Sequence, residues 1–326
     1  MNVGIDLSPL SLTRAGTARY LEGLLPHLRE RVSLTGLRWG GSGRATAALR
    51  DLWWYPVALP LRARGVEVLH CPTYRAPLRS PVPLVVTVHD LAVLRHPGAF
   101  RRWSRGYGRL TVRRVVRGAT RVIAVSEFTK RELVELAGAP EERVDVVPNA
   151  VGAPFGPDGP RAEGDYVLAV GTLEPRKNLE RTAAAARRLG VELRVVGARG
   201  WGGVRPAGDG VVWLGAVDDD ELARLYRGAL CVAYPSLYEG FGIPVLEAMA
   251  SGAAVVTSEG TSMAELADGA AVLVDPRDEA AIAAGIQRAI AERAELGRRG
   301  VERARPYTWE AAADATVRVY EEAAGA

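Results

Sequence analysis

Residues 168–179, LAVGTLEPRKNL, read as a buried strand that runs through a tight glycine turn into the start of a helix. Arg176 and Lys177 fall in or just before the first helical turn, where free backbone N–H groups and the helix dipole favour an anion. A planar guanidinium beside a compact ammonium suits a diphosphate, which spreads its charge over several oxygens. The stretch therefore predicts an α/β unit with a diphosphate site after this strand.

The composition of the chain draws attention to Lys177. Of the 42 Lys and Arg residues only Lys130 and Lys177 are lysines. A solvated basic pair on a surface loop is the alternative interpretation, but a lysine retained in so arginine-rich a chain favours a functional role. A lysine in a surface turn contributes little to folding, so replacing Lys177 by alanine is expected to reduce turnover much more than stability.

A second segment, 234–252, reads YPSLYEGFGIPVLEAMASG and carries two carboxylates around a helix start. Glu239 closes a loop before the helix, Pro244 takes a favoured position in its first turn, and Glu247 lies further along it. Carboxylates do not bind phosphate, but they accept hydrogen bonds from hydroxyl groups. The pair is therefore expected to hold the ribose of a nucleotide and a transferred sugar.

Glycines surround the first of these carboxylates. Gly240 and Gly242 flank Phe241 and would let backbone amides approach a ligand at the helix N-terminus. A glutamate-rich helix start stabilised by the dipole alone is the alternative. That interpretation leaves the glycines and Phe241 unexplained.

The rest of the chain alternates short apolar runs with amphipathic segments, which predicts an α/β fold of parallel sheets covered by helices. A glycine- and proline-rich stretch, 152–164, reads as a linker between two such halves. The predicted strands are 2–7, 66–70, 83–88, 120–125, 143–147, 166–170, 192–196, 211–214, 230–233 and 253–257. The predicted helices are 16–30, 99–117, 127–137, 177–189, 219–227, 244–250 and 308–324.

Three polar side chains stand where strands of the first half end. His70 ends one predicted strand, and His89 and Asp90 follow the next. Ligands of an open α/β sheet bind at the carboxyl ends of its strands, so these residues are expected to line one crevice.

The overall composition excludes several classes of protein. At 326 residues, with 48% hydrophobic and 25% charged residues, the chain has the size and balance of two soluble domains. The net charge of +4 does not indicate a nucleic-acid-binding protein. Cys71 and Cys231 read as buried thiols in a reducing compartment, and neither a signal peptide nor a membrane span is recognisable, so a cytoplasmic protein is expected.

Taken together, these segments resemble the retaining glycosyltransferases of family four, which have the GT-B fold. EGFGIPVLEAMASG resembles that family's signature of two glutamates separated by seven residues, and VGTLEPRKN resembles its diphosphate motif. The first half resembles it in RAGTARY at 14–20, VTVHDL at 86–91, VIAVSEFTK at 122–130 and VVPNAV at 146–151. The resemblance covers nearly the whole chain.

The resemblance implies two Rossmann-like domains that face each other across a cleft. It implies an acceptor-side domain over 1–155, a nucleotide-sugar donor domain over 165–305 and a last helix, 306–326, that crosses back to the first domain. Arg176 and Lys177 would hold the diphosphate, and Glu247 the ribose. Further donor-binding residues would be Gly171, Gly215, Val217, Glu239 and the amides of Gly240, Phe241 and Gly242.

The resemblance also implies the acceptor side and the chemistry. The acceptor-side residues would be Gly16, Thr17, Tyr20, His70, His89 and Asp90, although Ala18 stands where the family commonly has a second glycine. His89 is the first-domain candidate for touching the reacting sugar. The reaction would need no metal, and Glu239 would orient the sugar while Arg176 and Lys177 stabilise the leaving diphosphate.

The expected function is thus a retaining hexosyltransferase, with GDP-mannose as the expected donor and a glycan or lipid-linked acceptor in polysaccharide biosynthesis. A GT-B sugar phosphorylase and a non-catalytic nucleotide-binding scaffold protein remain alternatives. A dinucleotide oxidoreductase is a weak competitor, because VVGARGWGG at 195–203 does not have the G-x-G-x-x-G spacing.

The segment 100–117, FRRWSRGYGRLTVRRVVR, is strongly basic and carries Trp103, Tyr107 and Leu110 at helical spacing. A basic amphipathic helix of this kind suits a peripheral contact with the inner face of a membrane. An arginine-rich solvated helix whose apolar stripe packs on the sheet is the alternative.

Overall fold

Two parallel six-stranded sheets organise the chain, which confirms the predicted α/β class. The structure is a computed structural model and describes residues 1–11, 16–40, 46, 49–96, 102–200, 202–204 and 208–326, with the backbone alone for 102–105 and 107. The chain divides into a first unit, Met1–Ala150 with Thr308–Ala326, and a second unit, Val151–Tyr307. The functional names given to the two predicted domains stay predictions.

The sheet of the first unit has the order β2-β1-β3-β4-β5-β6. Its strands are β1 Asn2–Asp6, β2 Ser33–Leu37, β3 Val68–Cys71, β4 Leu84–Val88, β5 Arg121–Ala124 and β6 Val144–Val146. The helices between them are α1 Gly16–Arg29, α2 Arg50–Ala58, α3 Leu59–Arg62, α4 Ala92–Arg95, α5 Arg102–Gly118 and α6 Glu127–Glu132. The α2 helix and the stretch Leu133–Ala137 after α6 are π-helical, and short 3₁₀ turns cover Ser8–Ser11, Ala63–Gly65 and Glu141–Arg143.

The sheet of the second unit has the order β12-β11-β10-β7-β8-β9. Its strands are β7 Tyr166–Val170, β8 Glu192–Val196, β9 Val211–Gly215, β10 Cys231–Tyr234, β11 Val255–Ser258 and β12 Val272–Val274. Its helices are α7 Leu179–Arg188, α8 Asp219–Gly228, α9 Ile243–Ala250, α10 Ser262–Ala267, α11 Glu279–Ala291 and α12 Arg293–Ala304. A 3₁₀ turn, Pro175–Lys177, precedes α7.

The last helix, α13 Trp309–Ala324, belongs to the first unit. It packs beside α1 on one face of the first sheet, where Tyr320 and Val319 join Leu21 and Leu24 in a single apolar core. The helices α2, α3 and α5 cover the opposite face of that sheet. No helix in the described part of the chain is both long enough and apolar enough to cross a bilayer.

Several elements differ from the prediction for identifiable reasons. Strand β2 has only Leu37 buried and contains Gly36, so it shows no apolar run. The helical segment 50–62 contains Pro56 and Pro60, residues that indicate a break in a helix. No element was predicted over 258–307, where β12 is only three residues long and α11 is rich in alanine.

The close approach of α1 to α13 yields a stability prediction. A Cβ atom added at Gly23 would lie 2.1 Å from a ring carbon of Trp309, so Gly23→Ala must displace the Trp309 ring or the helix that carries it. We expect a loss of ~1–3 kcal/mol in the free energy of unfolding, measured by urea titration. Gly106→Ala in α5 is the matched control, because nothing lies within 4 Å of that Cβ position. A gain of ~0.5–1 kcal/mol is expected there, and equal effects of the two substitutions would contradict the packing of α1 on α13.

Candidate functional site

The two sequence motifs of the second unit meet where the order of its sheet reverses. Strands β7 and β10 are neighbours, and the chain proceeds from β7 outward to β9 and from β10 outward to β12. Ligands of open parallel sheets bind at such a switch point, beyond the carboxyl ends of the strands. The loop after β7 carries Arg176 and Lys177, and the loop after β10 carries Glu239.

Glycines allow the loops at this switch point to pack backbone against backbone. Gly171 has a φ of 150°, and a Cβ atom there would lie 3.2 Å from the methylene carbons of Lys177. A Cβ atom at Gly197 would lie 1.9 Å from the carbonyl oxygen of Gly171. The Gly197 amide in turn donates to the carbonyl of Gly215, so the ends of β7, β8 and β9 form one close-packed edge.

Asn178 ends the 3₁₀ turn and ties the two loops together. Its φ of 58° places it in the left-handed region, which asparagine tolerates better than most residues. Its side-chain amide donates to the carbonyls of Pro235, at 2.9 Å, and Pro276, at 2.6 Å. The left-handed residue also explains why α7 begins at Leu179 and not at the predicted position 177.

A compact group of ion pairs occupies the switch point. Lys177 Nζ donates to Glu239 Oε1 at 2.7 Å, and Arg176 Nη1 donates to Glu239 Oε2 at 2.8 Å. Arg176 Nη2 also donates to Glu174 Oε1 at 2.8 Å. The predicted diphosphate-binding cations and the predicted sugar-binding carboxylate are therefore in direct contact.

Two hydroxyl groups that the sequence analysis missed complete this group. The Tyr234 hydroxyl accepts from Lys177 Nζ and donates to Glu239 Oε1 at 3.1 Å. The Ser236 hydroxyl lies 2.7 Å from the same carboxylate oxygen and 2.9 Å from the carbonyl of Arg176. Tyr234 ends the buried strand β10 and Ser236 follows it by two residues, and that position was the signal available in the sequence.

Burial and charge together set the protonation of this group. Burial raises the pKa of Glu239, but Lys177 and Arg176 outweigh it and lower that pKa to about 2. Burial lowers the pKa of Lys177, and the charge of Glu239 opposes that shift. The arrangement holds a weakly basic carboxylate against two cations, with Lys177 placed where an anionic leaving group would be neutralised.

Lys177 is not the surface lysine that the sequence analysis assumed. Its side chain is only 11% exposed, as is the side chain of Glu239. Breaking a buried ion pair leaves an uncompensated charge, so replacing Lys177 must reduce stability as well as any activity.

The loop from Glu239 into α9 is held by its backbone. The Ser262 hydroxyl donates to the carbonyl of Glu239 at 2.8 Å. Gly242 has a φ of 101°, and a Cβ atom there would lie 2.8 Å from Met263 Cγ. The ring of Phe241 packs edge-on against Tyr307 at 6.0 Å. Phe241 thus packs this loop against Tyr307, which follows α12.

The remaining predicted donor residues lie on α9 and after β9. Glu247 is 2% exposed, and one of its carboxylate oxygens accepts from the Tyr226 hydroxyl at 3.2 Å. Gly215 ends β9 with a φ of 75°, and Val217 is partly buried in the turn that follows. In the described residues no group of three His, Cys, Asp or Glu side chains is arranged to hold a metal ion.

In the first unit, His89 follows β4 and is held by two neighbours. Its Nε2 lies 3.1 Å from the carbonyl oxygen of Pro72. Because a carbonyl oxygen can only accept a hydrogen bond, Nε2 must carry the hydrogen. The ring of Tyr20 packs edge-on against it, with ring centroids 4.9 Å apart. Burial lowers the pKa of His89, although Asp90 opposes the shift. The neutral ring therefore carries its proton on Nε2, and Nδ1 is left as the acceptor.

His70 has a structural role, in contrast to the predicted acceptor contact. It is fully buried, with Nδ1 2.6 Å from the Tyr320 hydroxyl and Nε2 2.9 Å from the Thr87 hydroxyl. Burial, with a smaller contribution from His89, lowers its pKa to about 3. Both ring nitrogens are engaged inside the core, where they link β3, β4 and α13.

The other predicted acceptor-side residues differ in accessibility. Tyr20 is 1% exposed with its hydroxyl 3.3 Å from that of Thr87, so it supports His89 from within the core. Asp90 lies two residues before α4 and accepts from the backbone amide of Ala92 at 3.0 Å. Gly16 is exposed and Thr17 partly exposed in the first turn of α1. The preceding residues of the RAGTARY segment, Arg14 and Ala15, lie outside the described residues.

Both units match known protein families. Residues 15–153 match the family described as Glycosyltransferase Family 4, and residues 157–306 match the family described as Glycosyl transferases group 1. The boundary between the two matches falls close to the division between the two structural units.

Individual relatives cover most of the chain. The chain is 30% identical over 298 residues to the O-antigen chain mannosyltransferase B of Escherichia coli, an alignment that spans 81% of this chain and 76% of the relative. It is 33% identical to the D-inositol 3-phosphate glycosyltransferase of Frankia alni, over 75% of this chain and 70% of the relative. Among solved structures, a sucrose-phosphate synthase from Thermosynechococcus elongatus has a TM-score of 0.81 at 20% identity, with 98% of each chain covered.

The depressed pKa of Glu239 makes a prediction about stability and pH. Glu239→Gln should lower the free energy of unfolding at pH 7 by ~3 kcal/mol, because it leaves the buried Lys177 without its carboxylate and Arg176 with Glu174 alone. The folded pKa of about 2 lies below the ordinary value of 4.5, so the difference between wild type and variant should shrink as the pH falls from about 5 towards 2.

Urea titrations at several pH values measure this difference. Glu259→Gln, at an exposed glutamate of the same unit, is the control and should change stability by less than about 0.5 kcal/mol. A Glu239→Gln protein as stable as wild type at pH 7, or a difference independent of pH, would show that the carboxylate does not neutralise the two cations.

Proposed function

The chain belongs to the glycosyltransferases of family 4, and we propose that it is a retaining, metal-independent hexosyltransferase that moves mannose from GDP-mannose to a glycan or lipid-linked acceptor. The observation that carries the proposal is the joint placement of Lys177, Arg176 and Glu239 at the switch point of the second sheet. Mannose is supported by the O-antigen mannosyltransferase among the relatives. The GDP moiety rests on the resemblance alone.

The proposed chemistry begins with departure of the diphosphate. Breaking its bond to the anomeric carbon builds negative charge on the leaving oxygens, and groups already fixed in place stabilise that charge best. Arg176 and Lys177 are held by Glu239, Tyr234 and Glu174 before any ligand arrives. Their positive charge therefore needs little reorganisation, and a metal ion is not required for this role.

The hydrogen bonding of Glu239 favours an orienting role over a nucleophilic one. Its Oε1 faces Lys177, Tyr234 and Ser236, and its Oε2 faces Arg176. A carboxylate with a pKa of about 2 is a weak base, and its lone pairs are already committed to donors. This supports front-face attack by the acceptor with retention of configuration, without a covalent sugar on Glu239.

The other donor contacts follow from the loops around β7–β9 and α9. Glu247, buried behind the start of α9, is proposed to accept from the ribose hydroxyls. The amides of Gly240, Phe241 and Gly242 are proposed to meet the sugar, with Gly171 beside the diphosphate. The turn that contains Gly215 and Val217 is proposed to flank the base.

The first unit is proposed to supply the acceptor side. His89, with Nδ1 as its acceptor atom, is the candidate to contact the reacting sugar, and Gly16, Thr17 and Asp90 are candidates for the acceptor itself. We also propose that the protein works in the cytoplasm at the inner face of a membrane. The arginine-rich helix α5, within the predicted segment 100–117, would supply part of that contact, although the Trp103 and Tyr107 side chains lie outside the described residues.

The nucleotide specificity is tested first by thermal melting without added metal and with a chelator present. GDP, UDP, ADP, dTDP and CDP are compared, each at about a hundred times its dissociation constant, where binding stabilises the fold by ~2.7 kcal/mol. We expect GDP to raise the melting temperature of wild type and of the Glu259→Gln control, and to fail with Glu247→Gln. A response to UDP alone would make GDP-mannose wrong, and no response to any nucleotide would favour the scaffold protein.

The role of Lys177 is tested by release of GDP from GDP-mannose in the presence of a chelator. Lys177→Gln should lower kcat by about 10²–10³-fold, as loss of one charge-stabilising donor does in other enzymes. Lys130→Gln, at the other lysine of the chain, is the matched control and should retain its rate. Melting curves of both variants distinguish a loss of activity from a loss of folding. Near-normal turnover by a folded Lys177→Gln protein would contradict the proposal that Lys177 stabilises the leaving diphosphate.

A further inference from the structure

From position 49 to position 61, the outer side of the helical segment formed by α2 and α3 is apolar. The residues that it exposes from position 49 to position 61 are Leu49, Leu52, Trp53, Pro56 and Leu61. The four large ones are 52%, 61%, 51% and 52% exposed. A surface helix ordinarily turns its polar residues outward, so this segment has the reverse orientation.

The two charged residues at the start of the same segment, Arg50 and Asp51, are buried. Arg50 is 4% exposed and Asp51 is 6% exposed. Asp51 Oδ1 accepts from Arg75 Nη1 at 2.6 Å, and Trp54 packs in the core beside it. Rotating the helix to bury Leu52 would pull this ion pair and Trp54 out of the core. The apolar outer side is thus enforced by the contacts of the inner side.

The exposed apolar side chains are concentrated here. Four of the eleven exposed large apolar side chains in the described part of the chain fall within the thirteen residues 49–61. Single exposed apolar residues are common on soluble proteins, but a contiguous apolar helix face marks a surface that another phase or molecule covers.

Arginines stand at one end of this face and on the neighbouring helix α5. Arg62 and Arg64 are exposed at its end, and Asp51, which is buried, is the only acid between positions 49 and 65. The helix α5 lies on the same side of the sheet, because its Val112 packs into the same core cluster as Trp54. No Asp or Glu occurs in α5, and its exposed residues include Leu110, Arg109, Arg113, Arg114 and Arg117.

We propose that the outer sides of α2, α3 and α5, here called the lipid face, lie on an anionic bilayer. Leu49, Leu52 and Trp53 enter the boundary between headgroups and acyl chains, where tryptophan and leucine are favoured. The arginines at its edge and on α5 meet the lipid phosphates. An apolar strip with arginines at one end and on the neighbouring helix α5 matches a surface that is apolar inside and negative outside. The proposal adds an inserting element to the basic contact of α5 and does not depend on the chemistry assigned to the second unit.

The test is co-sedimentation of the full chain with vesicles, without any nucleotide. Wild type should bind vesicles of equimolar phosphatidylglycerol and phosphatidylcholine, bind pure phosphatidylcholine weakly, and lose binding as salt screens the arginines. The double variant Leu52→Ser with Trp53→Ser should bind about tenfold more weakly. Leu273→Ser, at an exposed leucine of the second unit, is the matched control and should bind like wild type.

Two further measurements keep the outcome interpretable. Melting curves, with and without the nucleotide that stabilises wild type, show whether the double variant is folded and whether its donor site is intact. Light scattering reports the oligomeric state. Wild type that fails to sediment with anionic vesicles, or a folded double variant that binds them as well as wild type, would overturn the proposal. A wild-type dimer that the double variant converts to monomer would overturn it in favour of a self-interface.

Discussion

The second unit is organised around one buried carboxylate that two cations share. Taking Glu239 out of water is costly, and it is tolerated because Lys177 and Arg176 come with it. Each of the three would be destabilising on its own at this position, so they must be assembled together. The loops after β7 and β10 are therefore locked to one another by charge, and a site built on two sequence-distant loops becomes a single rigid surface.

That constraint accounts for much of the surrounding backbone. The loops must approach closely for the ion pairs to form, and only glycine leaves room at positions such as 171 and 197. Asn178 reverses the chain in a left-handed conformation and anchors it to the neighbouring loop through Pro235. Ser262 holds the carbonyl next to the shared carboxylate from a different helix. Preorganisation of this kind is what a site needs when it stabilises charge that develops during a reaction.

The sequence was sufficient for the features that depend on local patterns. Strand β7 was predicted at its observed bounds, because a continuous apolar run followed by glycine has few other interpretations. The α2–α3 segment was missed because Pro56 and Pro60 suggest a break, whereas a π-helical stretch accommodates Pro56. The segment exposes apolar residues because Asp51 is buried in an ion pair with Arg75. Arg75 lies outside the segment, so the spacing of apolar residues within the segment could not reveal this contact.

The contacts among the polar residues of the site could not be predicted from local sequence patterns either. The types and spacing of Arg176, Lys177 and Glu239 indicated a site, but not that they bind one another, since residues about sixty positions apart are joined only by the topology of the sheet. Both histidines were predicted at strand ends, but His70 lies within β3, where the Tyr320 hydroxyl of the last helix contacts it, whereas His89 follows β4. Burial and partnership of this kind are tertiary properties.

The position of α13 has a consequence for how the protein is made. The core on one face of the first sheet contains side chains of α1 together with Val319 and Tyr320 of α13. About three hundred residues separate these two helices along the chain. Residues 1–150 are synthesised before the second unit, yet the part of this face that α13 covers stays uncovered until the second unit has been translated. Because domains fold largely in the order of synthesis, the second unit should reach its native state while the first still waits for its last helix. The nascent chain thus carries an exposed apolar surface beside α1 while the second unit is synthesised, until α13 covers it.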